Sequence, residues 1–130
     1  MEKLMQAAVK AMENAYVPYS HFKVGAALLL KNGEIIKGCN VENASYGLCN
    51  CAERTALFKA YSEGITKDDI VAMSIAGATD GPISPCGACR QVMAELLNKD
   101  TKIYLTNVKG DVKEMTVEEL LPYSFSGSDL

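Results

Sequence analysis

The chain has 130 residues, 48% of them hydrophobic, and a formal net charge of −3, which fits one compact domain over 1–130 with a real core. The acidic balance, with no Lys/Arg run, excludes nucleic acid and anionic membranes as expected partners, and no apolar run is long enough to span a bilayer. Met1-Glu2-Lys3-Leu4 carries no secretory pattern, so the expected location is the cytoplasm.

Leu4, Ala8, Met12, Ala15 and Tyr16 recur at helical spacing, which predicts a helix over 3–16, stopped by Pro18. Residues 24–30 are almost continuously apolar, as in a strand covered on both faces. Asn32-Gly33 predicts a hairpin turn, and a second strand follows from 35 to about 40. A polar loop over 41–50 leads into a helix from Cys51 to about Glu63, ended by Gly64. A third strand covers 70–77. Ser84 reads as the cap, and Pro85 as the first residue, of a helix running to about Leu97. Strands follow at 102–106 and 112–115, and their link is too short for a helical crossover, so they should form an antiparallel hairpin. Thr116-Val117-Glu118-Glu119 reads as a capped short helix, followed by a polar tail that carries Phe125. Helix and strand alternate in the middle, which implies parallel pairing there, with antiparallel pairing at the ends. The expected fold is a mixed sheet with helices on both faces.

The five cysteines are Cys39, Cys49, Cys51, Cys86 and Cys89. An odd count in a chain without a secretory pattern argues against a disulfide framework and for metal binding or catalysis. Cys86-Gly87-Ala88-Cys89 places two sulfurs on one side of the first turn of a helix, where backbone amides favour the thiolate. Cys51, also at a helix start, offers a third sulfur. Three thiolates leave zinc one ligand short of four. Cys49 competes for that corner, since Cys49-x-Cys51 could reach one ion, and the single histidine, His21, lies far off in sequence. A closed site would make a zinc-stabilised interaction module, and Cys86/Cys89 alone would suit a redox dithiol. An open site would activate water.

Glu53 has two readings: half of a capping box with Asn50, or a proton shuttle beside an open zinc corner. The arginines bear on the choice. The chain has two, Arg54 and Arg90, against eleven lysines, and each follows a motif residue in a helix's first turn. A cation there opposes the helix dipole at a cost of about 0.3–1 kcal/mol. The placement makes sense if an anionic zinc–thiolate centre lies between the helix ends and the guanidinium groups donate to its sulfurs.

Cys51-Ala52-Glu53 followed by Pro85-Cys86-Gly87-Ala88-Cys89 resembles the zinc-dependent cytidine deaminase pattern, with a cysteine where other members carry histidine. Tyr16-Val17-Pro18-Tyr19-Ser20, Phe22-Lys23-Val24-Gly25-Ala26-Ala27, Gly38-Cys39-Asn40-Val41-Glu42-Asn43-Ala44 and Met115-Thr116-Val117-Glu118-Glu119-Leu120-Leu121-Pro122 extend the likeness to the small homotetrameric members, over essentially the whole chain. The resemblance implies a three-layer α/β/α fold around a mixed, mostly parallel five-stranded sheet. It implies one zinc ion per chain on Cys51, Cys86 and Cys89. It implies hydrolysis of cytidine and deoxycytidine to uridine, deoxyuridine and ammonia, by attack of zinc-activated water at C4 with Glu53 moving the protons. Asn40 and Glu42 would bond the ribose hydroxyls, and Phe22 and Ala52 would line the nucleoside pocket. Ala44, Tyr46 and Phe125 would reach a neighbouring subunit's pocket in a homotetramer, Phe125 stacking on the base. Related deaminases of nucleotides or aminonucleoside antibiotics are the alternative within the superfamily.

Overall fold

The computed structural model describes residues 1–130. The N-terminal helix α1 (Glu2–Ala11) presents Leu4, Ala8 and Ala11 inward. It gives way to a 3-10 turn over Met12–Asn14, and Ala15 is already extended. The helix is therefore shorter than the apolar spacing suggests. Tyr16 leaves it because its backbone is claimed elsewhere: Tyr16 N–H donates to Asn40 O at 3.0 Å, and Glu42 N–H donates to Tyr16 O at 2.9 Å. The side chain of Tyr16 stays exposed rather than joining the helix's apolar face.

Strands β1 (Val24–Leu30) and β2 (Ile35–Cys39) pair as a hairpin, turned by Gly33 at φ +90°, a conformation glycine adopts without a Cβ penalty. Helix α2 (Ala52–Ser62) follows, then β3 (Ile70–Gly77), α3 (Gly87–Leu96), β4 (Lys102–Asn107), β5 (Val112–Thr116) and the one-turn α4 (Val117–Leu120). The capping box of α4 forms as expected, Thr116 Oγ1 accepting from Glu119 N–H and Glu119 Oε1 from Thr116 N–H.

The five strands lie in the order β2-β1-β3-β4-β5. The sheet is mixed, as expected, but not mostly parallel: β3 with β4 is the one parallel pairing of four. The reason is lateral placement. The β2–α2–β3 unit does run its two strands in the same direction, but β3 docks on the far side of β1, so both of its strands pair antiparallel with β1.

Side chains alternate along β1. Val24, Ala26, Leu28 and Leu30 face a core of 20 buried residues shared with α2, α3 and α4. Ala27 faces a smaller core of 6, with Leu4, Ala8 and Met12 of the N-terminal segment against Ala72 and Ala76. Three layers result, α1 on one face and the other helices opposite. Two glycines set how closely helices approach. A Cβ at Gly25 would lie 2.0 Å from Ala8 O, and one at Gly38 would lie 2.6 Å from Ala56 N. β2 and β3 end at the same margin of the sheet, and the chain returns from each along one face, so α2 and α3 begin side by side.

Candidate metal centre and active site

Cys51 and Cys86 each occupy the cap position of a helix, with extended backbones (φ −71°, ψ 156° and φ −69°, ψ 163°) and no capping hydrogen bond from their side chains. Cys86 takes the cap expected of Ser84, and Pro85 stands just outside the helix. An extended residue turns its side chain back over the first turn, where a serine would accept an amide proton. Here sulfur occupies that place on both helices. Cys89, fully buried in the first turn of α3, completes the set.

The three sulfurs lie within 4.8 Å of one another, with Cys51 Sγ and Cys86 Sγ 3.8 Å apart. A tetrahedron with Zn–S bonds of about 2.3 Å has an edge of about 3.8 Å. The Cys51 thiol is lowered to about 5, chiefly by the neighbouring Cys89 thiol, with Arg54 adding to the effect. Cys89 is pushed up for the converse reason, since the Cys51 anion holds its proton. Sulfurs so close cannot all ionise unless a cation sits among them, and a soft three-thiolate set suits zinc.

The fourth corner is not closed by Cys49. Its sulfur accepts from Asn43 N–H at 3.3 Å and donates to Asn43 O at 3.6 Å, and it lies outside the cluster. His21 is not among the clustered groups either.

Glu53 is not a capping residue, because the cap is Cys51; Asn50 instead donates to Thr55 Oγ1 at 3.1 Å. The Glu53 side chain turns into the protein, 4% exposed, and burial pushes its carboxyl above the usual carboxylate range. Arg54 Nη2 donates to Cys51 Sγ at 3.4 Å, while its buried Nε has no partner in the chain. Arg90 departs from expectation. It donates to Pro85 O and Leu120 O at 2.9 Å each and to Ser84 Oγ at 2.7 Å, and none of its bonds reaches a sulfur. Its planar fork staples the segment before Cys86 to the end of α4.

The expected nucleoside contacts divide into groups. Asn40 Oδ1 accepts from Val24 N–H at 2.9 Å and Asn40 Nδ2 donates to Phe22 O at 2.8 Å, so the amide fastens the start of β1. Phe22 is partly exposed beside Gly77. Glu42 Oε1 accepts from the N–H groups of Tyr19 and Ser20, at 3.1 Å each, and Oε2 accepts from the Ser20 hydroxyl. Tyr19, Ser20, Glu42, Tyr46 and Cys49 line a cavity of about 300 Å³. Tyr46, 73% exposed, meets Tyr19 edge-on with ring centres 6.0 Å apart. Ala52, the first residue of α2 after Cys51, is fully buried, and Ala44 is exposed. Phe125 is 58% exposed, its carbonyl held by Gln91 Nε2 at 3.0 Å. Gln91 lies outside every motif the sequence singles out, and Ser20 appears there only as the end of Tyr16-Val17-Pro18-Tyr19-Ser20, with no role of its own. The signal for Ser20 was indirect: a carboxylate at Glu42 needs donors, and a serine in a tight turn supplies them.

The family model for the cytidine and deoxycytidylate deaminase zinc-binding region matches residues 1–105. The chain belongs to this family. It is 60% identical to a cytidine deaminase of Halalkalibacterium halodurans, over 99% of this chain and 96% of that one. It is 55% identical to a cytidine deaminase of Sporosarcina psychrophila, over 100% and 94% respectively. A crystal structure of the Burkholderia pseudomallei cytidine deaminase superposes with a TM-score of 0.93 at 55% identity, covering 95% of this chain and 98% of that one. That of the Mycobacterium tuberculosis enzyme gives 0.82 at 36% identity, covering 96% of each. Family and donor set together assign one zinc ion per chain to the three cysteines.

Proposed function

We propose that this chain is a single-domain enzyme over 1–130 that hydrolyses cytidine and deoxycytidine to uridine and deoxyuridine, releasing ammonia. The observation that carries the reading is the three-sulfur cluster whose fourth corner no side chain fills, with buried Glu53 two residues from Cys51. When bound, zinc supplies the Lewis acidity that makes water a nucleophile near neutral pH. Cys51, Cys86 and Cys89 hold the ion, and Arg54 spreads the charge of Cys51.

Glu53 does the proton work. Its carboxylate takes a proton from the attacking water and delivers it to N3 of the pyrimidine. It then takes the second water proton and passes it to the 4-amino group. The water oxygen ends as the C4 carbonyl, and nitrogen leaves as ammonia, a poor leaving group unless protonated. A group that both accepts and donates is needed, and Glu53 is the carboxyl at hand. Glu42 and Asn40 bond sugar hydroxyls, while Phe22 and Ala52 shape the pocket.

The exposed Tyr46, Leu48 and Phe125 favour a homotetramer in which Ala44, Tyr46 and Phe125 complete a neighbour's site. A net charge of −3 favours a free nucleoside over a nucleic acid. No helix is long and apolar enough to cross a membrane, and the reading places the enzyme in the cytoplasm. Incubation with cytidine, followed by its ultraviolet conversion to uridine with zinc measured per chain, tests the proposal. No conversion by zinc-loaded protein would refute it.

A further inference from the structure

We propose that Ser20 is a positioning residue for sugar recognition, holding the Glu42 carboxylate with one acceptor site free for a substrate hydroxyl. This rests on the reading of Glu42 as a ribose contact. An ionised carboxylate offers about four lone-pair sites. In Glu42, Oε1 has both of its sites taken by the N–H groups of Tyr19 and Ser20, at 3.1 Å each. Oε2 takes the Ser20 hydroxyl proton, which leaves one site, on Oε2.

The direction of the Ser20 bond is fixed by a second one. Ser20 Oγ accepts from Phe22 N–H at 3.0 Å, so its own proton is free to go to the carboxylate. The intervening residue, His21, holds φ at +57°, a left-handed turn that brings Phe22 N–H back to the serine. One hydroxyl therefore joins the Glu42 carboxylate to the Phe22 N–H, while Phe22 itself is fastened separately through its carbonyl by Asn40 Nδ2. Glu42 and Ser20 also share the walls of the 300 Å³ cavity with Tyr19, Tyr46 and Cys49. A glutamate in a polar loop would otherwise spread over its rotamers, at an entropic cost each time substrate bound. The same bonds hold the Glu42 carboxyl below its usual range, so at neutral pH it only accepts. A sugar hydroxyl is the matching donor.

Ser20→Ala removes one donor and leaves both backbone N–H bonds in place. The expected result is a KM for cytidine and deoxycytidine raised about fivefold, with kcat changed by less than about twofold. Ser20→Thr keeps the hydroxyl and is expected to restore the KM. The inhibition constant of 1-methylcytosine, a competitive probe without sugar hydroxyls, is expected not to change in Ser20→Ala. Glu42→Gln is measured in parallel. If it raises the KM and Ser20→Ala does not, Ser20 positions nothing and the proposal fails. If neither variant moves the KM, Glu42 is not a sugar contact and the underlying reading fails. If Ser20→Ala weakens 1-methylcytosine as much as cytidine, the serine only supports the local fold, which also overturns the proposal.

Discussion

Arg54, in the first turn of α2, reaches back to place Nη2 3.4 Å from the sulfur of Cys51, the cap of the same helix, so a guanidinium cation donates directly to one of the three clustered sulfurs. A thiolate that accepts a guanidinium proton donates less charge to its metal, and groups of this kind typically tune metal affinity or activity about 10–100-fold. Arg54→Gln is expected to cost that much in zinc retention, measured by competition with a chromophoric chelator, or in kcat. Unchanged values of both would remove Arg54 from the machinery.

Glu53→Gln preserves shape but cannot accept and return a proton. It is expected to retain one zinc per chain and lose about 10²–10⁴-fold in kcat. Metal analysis and steady-state rates on the same preparation check this, and near-normal turnover would contradict the assigned role.

Cys49 separates an open metal site from a closed one. Because its sulfur is engaged with Asn43 outside the cluster, Cys49→Ser is expected to leave zinc stoichiometry and activity intact. Release of the metal in that variant would mean that the fourth corner is filled by sulfur.

Gly25 and Gly38 test the packing of the layers. Alanine at Gly25 would drive its Cβ into the backbone of Ala8 and Met12, with contacts of 2.0 and 2.8 Å. The helix must move as a body, a strain of about 1–3 kcal/mol or more. Gly25→Ala and Gly38→Ala should both lower the thermal midpoint. Alanine at Gly47, where nothing lies within 4 Å of the added carbon, should not.

The clamp on Glu42 also has a pH signature. Hydrogen bonds from Ser20 lower the folded carboxyl below its unfolded value. Such a group stabilises the fold fully above the unfolded value of about 4.3, and the contribution is lost as pH falls through the lower folded value. In Ser20→Ala the folded value rises toward the unfolded one and the increment shrinks. Thermal midpoints of wild type and variant should therefore differ near neutrality and converge in acid. Parallel curves would contradict the linkage.

The sequence made the chemistry legible more readily than the geometry. Cys51, Cys86, Cys89 and Glu53 stood out because few residue types bind metal or move protons, and because helix starts bring such groups together. The strand spans at 24–30 and 70–77 were plain from apolar runs and turn residues. Lateral order was not, since nothing local to β3 says on which side of β1 it will dock, and that choice alone decides the sense of the pairing. Tyr16 fitted the helical spacing but lost to strand-like bonds with Asn40 and Glu42, partners distant in sequence. Ser84 and Cys86 are both able to cap a helix, and the proline between them is compatible with either start. Arg90 shared its motif position with Arg54, yet carbonyls at Pro85 and Leu120 captured it, and the latter lies thirty positions away.

The strand order has a bearing on biosynthesis. After the first hairpin, β3 adds to the open margin of β1, β4 to β3, and β5 to β4. A growing polypeptide thus extends the sheet in one direction and never has to wedge a late strand between two that have already zipped together. All three sulfurs precede β4 in the chain, so neither of the last two strands contributes a metal-binding side chain and both serve only to finish the sheet beneath the site.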